Sequence, residues 1–319
     1  MIRFGILGTA RIARAFLGYP LDGIEMVAVA SRSPERAAAF AGEYGIPKWY
    51  GSYDDLLADP TIDAVYIALT PRLNGEYSAR AATAGKHILV EKPAAVSTVQ
   101  VQAIEKALRN SGRLFMEGFM YRFMAVHRRA HAILLEGTIG QLRYISFNFC
   151  FDIVNRGRTG FRMENDEGGG ALLDLGIYGV DFLRFMTGTQ PVLLHSMTNW
   201  DKGGGIDLFT HALYSAGDAI CTMTCSFNTD ANYYVISGDK GSITSPVAIS
   251  GRQLPNVLRI HLLDGDTKYE ETFPPENPYK EEIEYFGRCI VESREPCLSI
   301  TNTKTNVRMI EEVVGRGRG

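Results

Sequence analysis

The chain has 319 residues, 45% of them hydrophobic, with 33 basic and 36 acidic side chains giving a formal net charge of -3. That is more chain than one core usually organises and enough apolar material for two. A balance so near neutral offers no basic field for a nucleic-acid backbone or an anionic membrane. Five cysteines, Cys150, Cys221, Cys225, Cys289 and Cys297, form no CxxC pair; they are expected as reduced, mostly buried thiols of a cytoplasmic protein.

The opening apolar run 2–7 is broken by Arg3 and Gly5 and followed by Arg11 and Arg14. Neither a leader nor a membrane span fits, and structure is expected to start at once. From there to about residue 120, nearly continuous apolar runs at 3–7, 26–30, 64–69, 87–90 and 114–117 read as strands covered on both faces. Between them, helices are expected at 10–17, 34–44, 74–84 and 98–110. Ser33 and Ser97 stand as caps, Pro34 as a first-turn residue, and Gly85 and Gly112 as stops. This alternation predicts an α/β domain over 1–120, a parallel sheet of Rossmann type.

Past residue 120 the grammar changes to a helix near 123–136, a long strand at 141–153, a helix at 171–186 and then alternating strands. An α+β domain over 121–319 with a mostly antiparallel open sheet is expected. Asn277-Pro278-Tyr279-Lys280 reads as a helix entry, and the closing Gly315-Arg316-Gly317-Arg318-Gly319 as a frayed tail.

Gly8-Thr9-Ala10-Arg11-Ile12-Ala13 follows the first strand as a dinucleotide fingerprint with alanines in place of the second and third glycines. Gly8 would make the turn that aims helix amides at a pyrophosphate, and Ala13 would allow close packing of helix on strand. The motif alone fits a plain strand-turn-helix junction equally well. Its context adds Ser31-Arg32-Ser33-Pro34-Glu35-Arg36 at the end of the second strand, where an NAD site would place an acid against the ribose. Hydroxyls with Arg32 and Arg36 suit a 2'-phosphate instead, so NADP is preferred to NAD; the bland alternative is two solvated arginines. His127 and His131 are spaced i, i+4 without a neighbouring Glu or Cys, so a surface pair and no metal site is expected. Cys221 and Cys225 would share one strand face as core thiols.

The segment Gly85-Lys86-His87-Ile88-Leu89-Val90-Glu91-Lys92-Pro93, with the fingerprint, resembles the Gfo/Idh/MocA family of oxidoreductases. The resemblance continues through Asp63-Ala64-Val65-Tyr66-Ile67-Ala68, Tyr121-Arg122-Phe123, Glu136-Gly137-Thr138-Ile139-Gly140 and Gly168-Gly169-Gly170-Ala171-Leu172-Leu173-Asp174-Leu175-Gly176-Ile177-Tyr178. Many members carry histidine at the places of Asn74 and Tyr178; the tyrosine version is similar to the branch of glucose-fructose oxidoreductase and dimeric dihydrodiol dehydrogenase. That branch implies NADP and a lysine-aspartate-tyrosine set, here Lys92, Asp174 and Tyr178. Cofactor contacts implied by the resemblance extend to Thr70, Pro71, Asn74, Glu91 and Lys92.

Hydride exchange at a carbinol carbon needs a proton acid/base, which Tyr178 would supply with the Lys92 ammonium lowering its pKa. Asp174, four residues before Tyr178 on one helix face, would accept a substrate hydroxyl or orient the phenol. The glycines at 168–170 would let backbone approach ligand. Arg122 would hold substrate or pair with an acid; both stay open. The expected activity is therefore NADP-dependent transfer of a hydride to or from a sugar, polyol or related compound. The alternatives are a redox-assisted glycoside hydrolase with tightly bound NAD(P) and a non-catalytic NADP-binding regulator. The family also implies a homodimer or homotetramer through the second domain's sheet face.

Overall fold

The protein is described from a computed structural model that covers residues 1–157, 160–249 and 256–317. The chain divides into two units, Met1–Met120 with Asn277–Lys304, and Tyr121–Glu276 with Thr305–Gly319.

The first unit is built on a six-stranded parallel sheet in the order β3-β2-β1-β4-β5-β6. In chain order its elements are β1 (Ile2–Leu7), α1 (Arg14–Leu17), β2 (Ile24–Ala30), α2 (Pro34–Tyr44), β3 (Lys48–Tyr50), α3 (Tyr53–Ala58), β4 (Ala64–Ile67), α4 (Pro71–Thr83), β5 (His87–Glu91), α5 (Thr98–Ser111) and β6 (Phe115–Gly118). This is the expected Rossmann arrangement, with the order reversing between β1 and β4, the place where such sheets receive ligands. The strands are dry: Phe4, Ile6, Leu7, Val65, Ile67, Ile88, Leu89 and Val90 are all fully buried. Capping follows the sequence signals. Ser33 Oγ accepts from the Arg36 amide and Ser97 Oγ from the Gln100 amide, while Gly45 and Gly112 close α2 and α5 in the left-handed conformation.

Three local expectations change. The fingerprint helix of 10–17 is a single tight turn at Arg11–Ala13 followed by the four-residue α1. Helix α4 starts at Pro71, three residues before Asn74, because a proline is at home at the first helical position, where its missing N–H has no partner to lose. The short edge strand β3 and six-residue α3 were absent from the expectation, being too brief to show periodicity.

The second unit carries an eight-stranded sheet, β14-β13-β12-β11-β7-β10-β9-β8. Its elements are α6 (Ala125–Leu135), β7 (Leu142–Cys150), α7 (Ile177–Thr187), β8 (Val192–Trp200), β9 (Asp207–Ala216), β10 (Ala219–Ser226), β11 (Ala231–Gly238), β12 (Gly241–Ser245), β13 (Asn256–Leu262) and β14 (Thr267–Phe273). Within this sheet only β7 and β10 pair in parallel among the described strands; the other neighbours are antiparallel. Side chains alternate, so Ile145, Phe147, Cys221, Met223 and Cys225 point into the core with α7 while Tyr144, Ile220 and Tyr233 stay exposed. Cys221 and Cys225 are the core thiols expected of them, and of the five free cysteines only Cys297 is exposed.

Helices α8 (Pro278–Val291) and α9 (Ile300–Gly317) complete the chain. The segment Asn277–Lys304, expected with the second domain, belongs to the first unit, where Asn277 caps α8 and its side chain also donates to Ala15 O. The expected frayed tail is instead helical through Gly317, with Arg316 donating to Leu194 O at 2.6 Å and Trp200 Nε1 to Gly317 O at 3.4 Å. Arg318 and Gly319 lie outside the described residues.

Candidate active site

At the end of β1, Gly8 turns with φ 99°, and a Cβ there would stand 2.6 Å from Ala68 O. Glycine is required twice over, by the backbone conformation and by the closeness of β4. Thr9, Ala10 and Ile12 are half-buried and Arg11 exposed around this turn, an open cradle of the kind that a pyrophosphate needs. At the end of β2, Ser31 is buried and its Oγ accepts from the Ser33 amide, whereas Arg32 and Arg36 are exposed. Arg32 also neighbours the Tyr53 phenol, whose pKa burial raises and that arginine opposes. Glu35, the acid of this segment, is turned to Ser33 Oγ at 2.7 Å, so no carboxylate replaces Ser31 at the strand end. A 2'-phosphorylated adenosine ribose fits these donors better than a free diol, which would call for an acceptor there.

The ends of β4, β5 and β6 are knitted around Lys92. Asn74 is 1% exposed; its Oδ1 accepts from the Leu69 amide and its Nδ2 donates to Glu91 O and Pro93 O at 3.1 and 3.2 Å. The Lys92-Pro93 bond between them is cis. Glu117, fully buried, accepts from the Ala94 amide at 2.9 Å and from Thr303 Oγ1 at 2.7 Å. Asn74 therefore holds main chain on both sides of Lys92. Thr70 and Pro71 start α4 beside it.

Glu91 accepts from the Tyr66 hydroxyl at 2.6 Å, and burial raises its carboxyl pKa against the opposing pull of Tyr66 and Lys92. Glu282 on α8 is buried near it, its pKa pushed well above the carboxylate range by burial and then by the Glu91 charge. Sequence reading had no means of finding Glu117 or Glu282, since a buried acid and a solvated one are spelled alike.

In the second unit the residues 171–178 do not form one regular α-helix. Leu172–Gly176 winds as a π-turn before α7 begins at Ile177, a local widening often found at functional sites. Asp174 and Tyr178 sit on this stretch, 8% and 6% exposed. The Tyr178 ring packs edge-on against Phe149 and Tyr121, with centroids 5.5 and 6.0 Å away. Asp174 meets a residue that sequence reading missed: Arg162 Nε donates to its Oδ2 at 2.6 Å, and that guanidinium lies over the Phe161 ring. The glycines before Asp174 make room chiefly for the chain itself, since a Cβ on Gly169 would stand 2.6 Å from Arg162 O.

Arg122 pairs with an acid, one of the two roles expected of it. Its Nε and Nη2 donate to Asp181 at 2.8 and 3.3 Å, and its guanidinium stacks on Phe185. Asp181 is fully buried and also receives the Tyr121 hydroxyl and, at 3.2 Å, Asn306 Nδ2. Burial alone would raise the Asp181 carboxyl pKa, but Arg122 and these donors hold it below the usual value. The expected surface histidine pair is also corrected. His127 is fully buried among Tyr121, Phe182 and Tyr234, which lowers its pKa to about 3, and His131 stacks on Phe185 at 4.3 Å. An imidazole face is apolar enough to join an aromatic core, which i, i+4 spacing cannot reveal.

Comparison with known proteins agrees with this architecture. Residues 2–119 match the model described as oxidoreductase family, NAD-binding Rossmann fold, and residues 127–244 match the Gfo/Idh/MocA C-terminal domain. A D-xylose 1-dehydrogenase (NADP(+)) of Haloferax volcanii is 32% identical over 97% of this chain and 95% of its own. Mouse trans-1,2-dihydrobenzene-1,2-diol dehydrogenase is 33% identical over 75% of this chain and 73% of its own. Among solved structures, the 3-ketoreductase KijD10 of Actinomadura kijaniata, in complex with NADP and TDP-benzene, aligns with TM-score 0.89 at 26% identity, covering 99% of this chain and 97% of that one. The aldose-aldose oxidoreductase of Caulobacter crescentus, complexed with glycerol, gives 0.90 at the same identity and coverage. The chain belongs to the Gfo/Idh/MocA family of oxidoreductases.

Proposed function

We propose that this protein is an NADP-dependent oxidoreductase that moves a hydride between nicotinamide and a carbinol or carbonyl carbon of a sugar, polyol or related compound. The observation that carries the reading is the chemistry that each unit, taken by itself, presents. The Rossmann unit ends β2 with Ser31 and exposed arginines and grips the main chain around Lys92; the other presents Tyr178 and Asp174 from a widened helical turn. The dehydrogenase and reductase relatives, which include an NADP(+) enzyme for xylose and a 3-ketoreductase solved with NADP, support it.

When bound, the nicotinamide cofactor supplies or takes up the hydride. Gly8 through Ile12, with Thr70 and Pro71, would seat the cofactor's pyrophosphate side, and Ser31, Arg32 and Arg36 its 2'-phosphate. Tyr178 exchanges the hydroxyl proton of the reacting carbon, and Lys92 stabilises negative charge developing on its oxygen. Asp174 accepts a neighbouring substrate hydroxyl, with Arg162 offering its remaining donors to the same region. Arg122, tied to Asp181, holds the scaffold beneath Tyr178 rather than substrate. Asn74 and Glu91 act from below on the main chain and environment of Lys92.

A homodimer or homotetramer formed on the open sheet face of the second unit belongs to the same proposal. It is supported there by exposed Tyr144, Met197, Ile220 and Tyr233. A cytoplasmic home is part of it as well; none of the described helices is long and apolar enough to cross a membrane.

The test is turnover on a panel of aldoses and polyols with NADP and NAD, alongside Lys92→Met and Tyr178→Phe. Each variant should lose turnover by orders of magnitude while keeping cofactor affinity. Wild-type rates in both variants would remove the mechanism. Stoichiometric change in nicotinamide absorbance separates net oxidoreduction from a redox-assisted hydrolase or a silent regulator.

A further inference from the structure

The start of the helical stretch that carries Asp174 and Tyr178 is held by a residue with no part in the chemistry above. The Leu172 amide lies in the first turn, where an amide has no intrahelical carbonyl to reach. Asp207, at the first position of β9, supplies the acceptor: its Oδ2 receives Leu172 N at 2.7 Å. The side chain is buried, and its second contact is Thr210 Oγ1 at 3.5 Å. Main chain and carboxylate are shaped to each other. Gly170 takes φ 111°, and a Cβ there would come within 2.0 Å of Asp207 Oδ1, so only glycine admits the acid. The Gly170 amide is in turn fixed on Arg162 O at 2.9 Å, and Gly170 O receives the Asp174 amide at 3.2 Å. A line of bonds thus runs from β9 through 170–172 to Asp174, and one turn further stands Tyr178.

We propose that Asp207 is a positioning residue for the reaction, its carboxylate setting the main chain at Leu172 and through it the placement of Asp174 and Tyr178. The proposal rests on the acid/base reading of Tyr178 given above. A negative group is favoured at a helix start, where amides point outward and the peptide dipoles present positive charge. Burial opposes ionisation, however, and against the Leu172 amide and the Thr210 hydroxyl it still lifts the carboxyl pKa to about 7. The titratable groups on the elements around it are Asp174 with its partner Arg162, Cys225 on β10, and Asp201 in the loop before β9. Among the described residues no basic side chain is bonded to Asp207 itself. The grip on Leu172 therefore strengthens as pH rises through neutrality and the acceptor gains charge.

The experiment compares Asp207→Ala and Asp207→Asn in the full chain with the wild type. In Asp207→Ala the Leu172 amide should exchange hydrogen faster and kcat should fall roughly tenfold or more, cofactor affinity being unchanged. Asp207→Asn, which keeps an acceptor oxygen, should recover most of kcat and lose the inflection near neutrality in its pH profile. A folded Asp207→Ala with wild-type protection at Leu172 and wild-type kcat overturns the proposal, as does an asparagine variant no better than alanine. Should the alanine variant fail to fold, an inflection that persists unchanged in Asp207→Asn overturns it. Tyr178→Phe is measured in parallel: wild-type turnover there defeats the acid/base reading, while the exchange rate at Leu172 judges Asp207 independently.

Discussion

Replacing Asp181 by alanine removes the centre of the polar cluster behind Tyr178. Three residues donate to this fully buried carboxylate: Tyr121 through its hydroxyl, Arg122 through two nitrogens, and Asn306 through Nδ2. The Arg122 side chain is only 16% exposed, so the variant leaves a largely desolvated guanidinium facing a cavity. Removing one partner of such a pair costs about 3–5 kcal/mol, far above what an exposed ion pair is worth. For a unit of this size each kcal/mol moves the melting temperature by roughly 2–4 °C, so Asp181→Ala should melt about 10 °C lower by calorimetry. Arg122→Met on the same background should restore part of the loss, because the stranded charge goes with it. The sign in pH follows from the depressed carboxyl pKa. The pair's share of stability is present above the unfolded carboxylate pKa and lost as pH falls through the lower folded value, so the gap between wild type and Asp181→Ala should shrink in acid. A variant melting within a degree of wild type at neutral pH, or a double variant no better than the single, would refute this assignment of Arg122 to the scaffold.

Gly170→Ala meets both a left-handed φ and the Asp207 carboxylate, and should cost at least about 2 kcal/mol in a urea titration. Gly42→Ala, inside α2 with open space around it and an ordinary φ, should instead stabilise by up to roughly 1 kcal/mol; equal effects at the two sites would show that the local geometry is misjudged. Asn74→Ala strips donors from Glu91 O and Pro93 O and should lower both melting temperature and turnover, an effect absent if the loop around Lys92 is held otherwise. Ser31→Asp should shift the ratio of NADP to NAD affinity toward NAD; an unchanged ratio would disprove the charge argument at the end of β2. Because burial holds the Asp207 carboxyl up at about 7, its protonated form favours the fold below the ordinary acid range, and that contribution disappears as pH rises through neutrality. Asp207→Asn should flatten this slope at about 1.4 kcal/mol per pH unit at most, and a parallel slope in both proteins would contradict it.

The Rossmann sheet was readable because its signals are local and redundant. Strands such as 87–90 are apolar throughout, and α2 carries serine, proline and glycine at the three positions that start and stop a helix. Gly8 was readable for a similar reason, as one residue type whose absence of a side chain is itself the message. What escaped depends on partners far along the chain. Nothing around Asn277 announces that α8 joins the first unit, and nothing around Asp181 or Asp207 marks an acid that will be enclosed. Their meaning comes from Arg122 and Leu172, residues tens of positions distant. His127 misled because its surroundings, not its spacing, decide whether an imidazole is solvated or packed. The π-turn was invisible too, since one extra residue per turn leaves composition unchanged.

The split composition of the first unit bears on how the molecule is made. A ribosome that has released 1–120 has delivered every strand of the parallel sheet but neither α8 nor the beginning of α9. Until those emerge, Glu117 lacks the hydroxyl of Thr303, and Phe4 lacks the ring of Phe286 that meets it edge-on. The nascent sheet must wait, half-clothed, while residues 121–276 are translated, and its exposed apolar flank is where a chaperone would first find purchase.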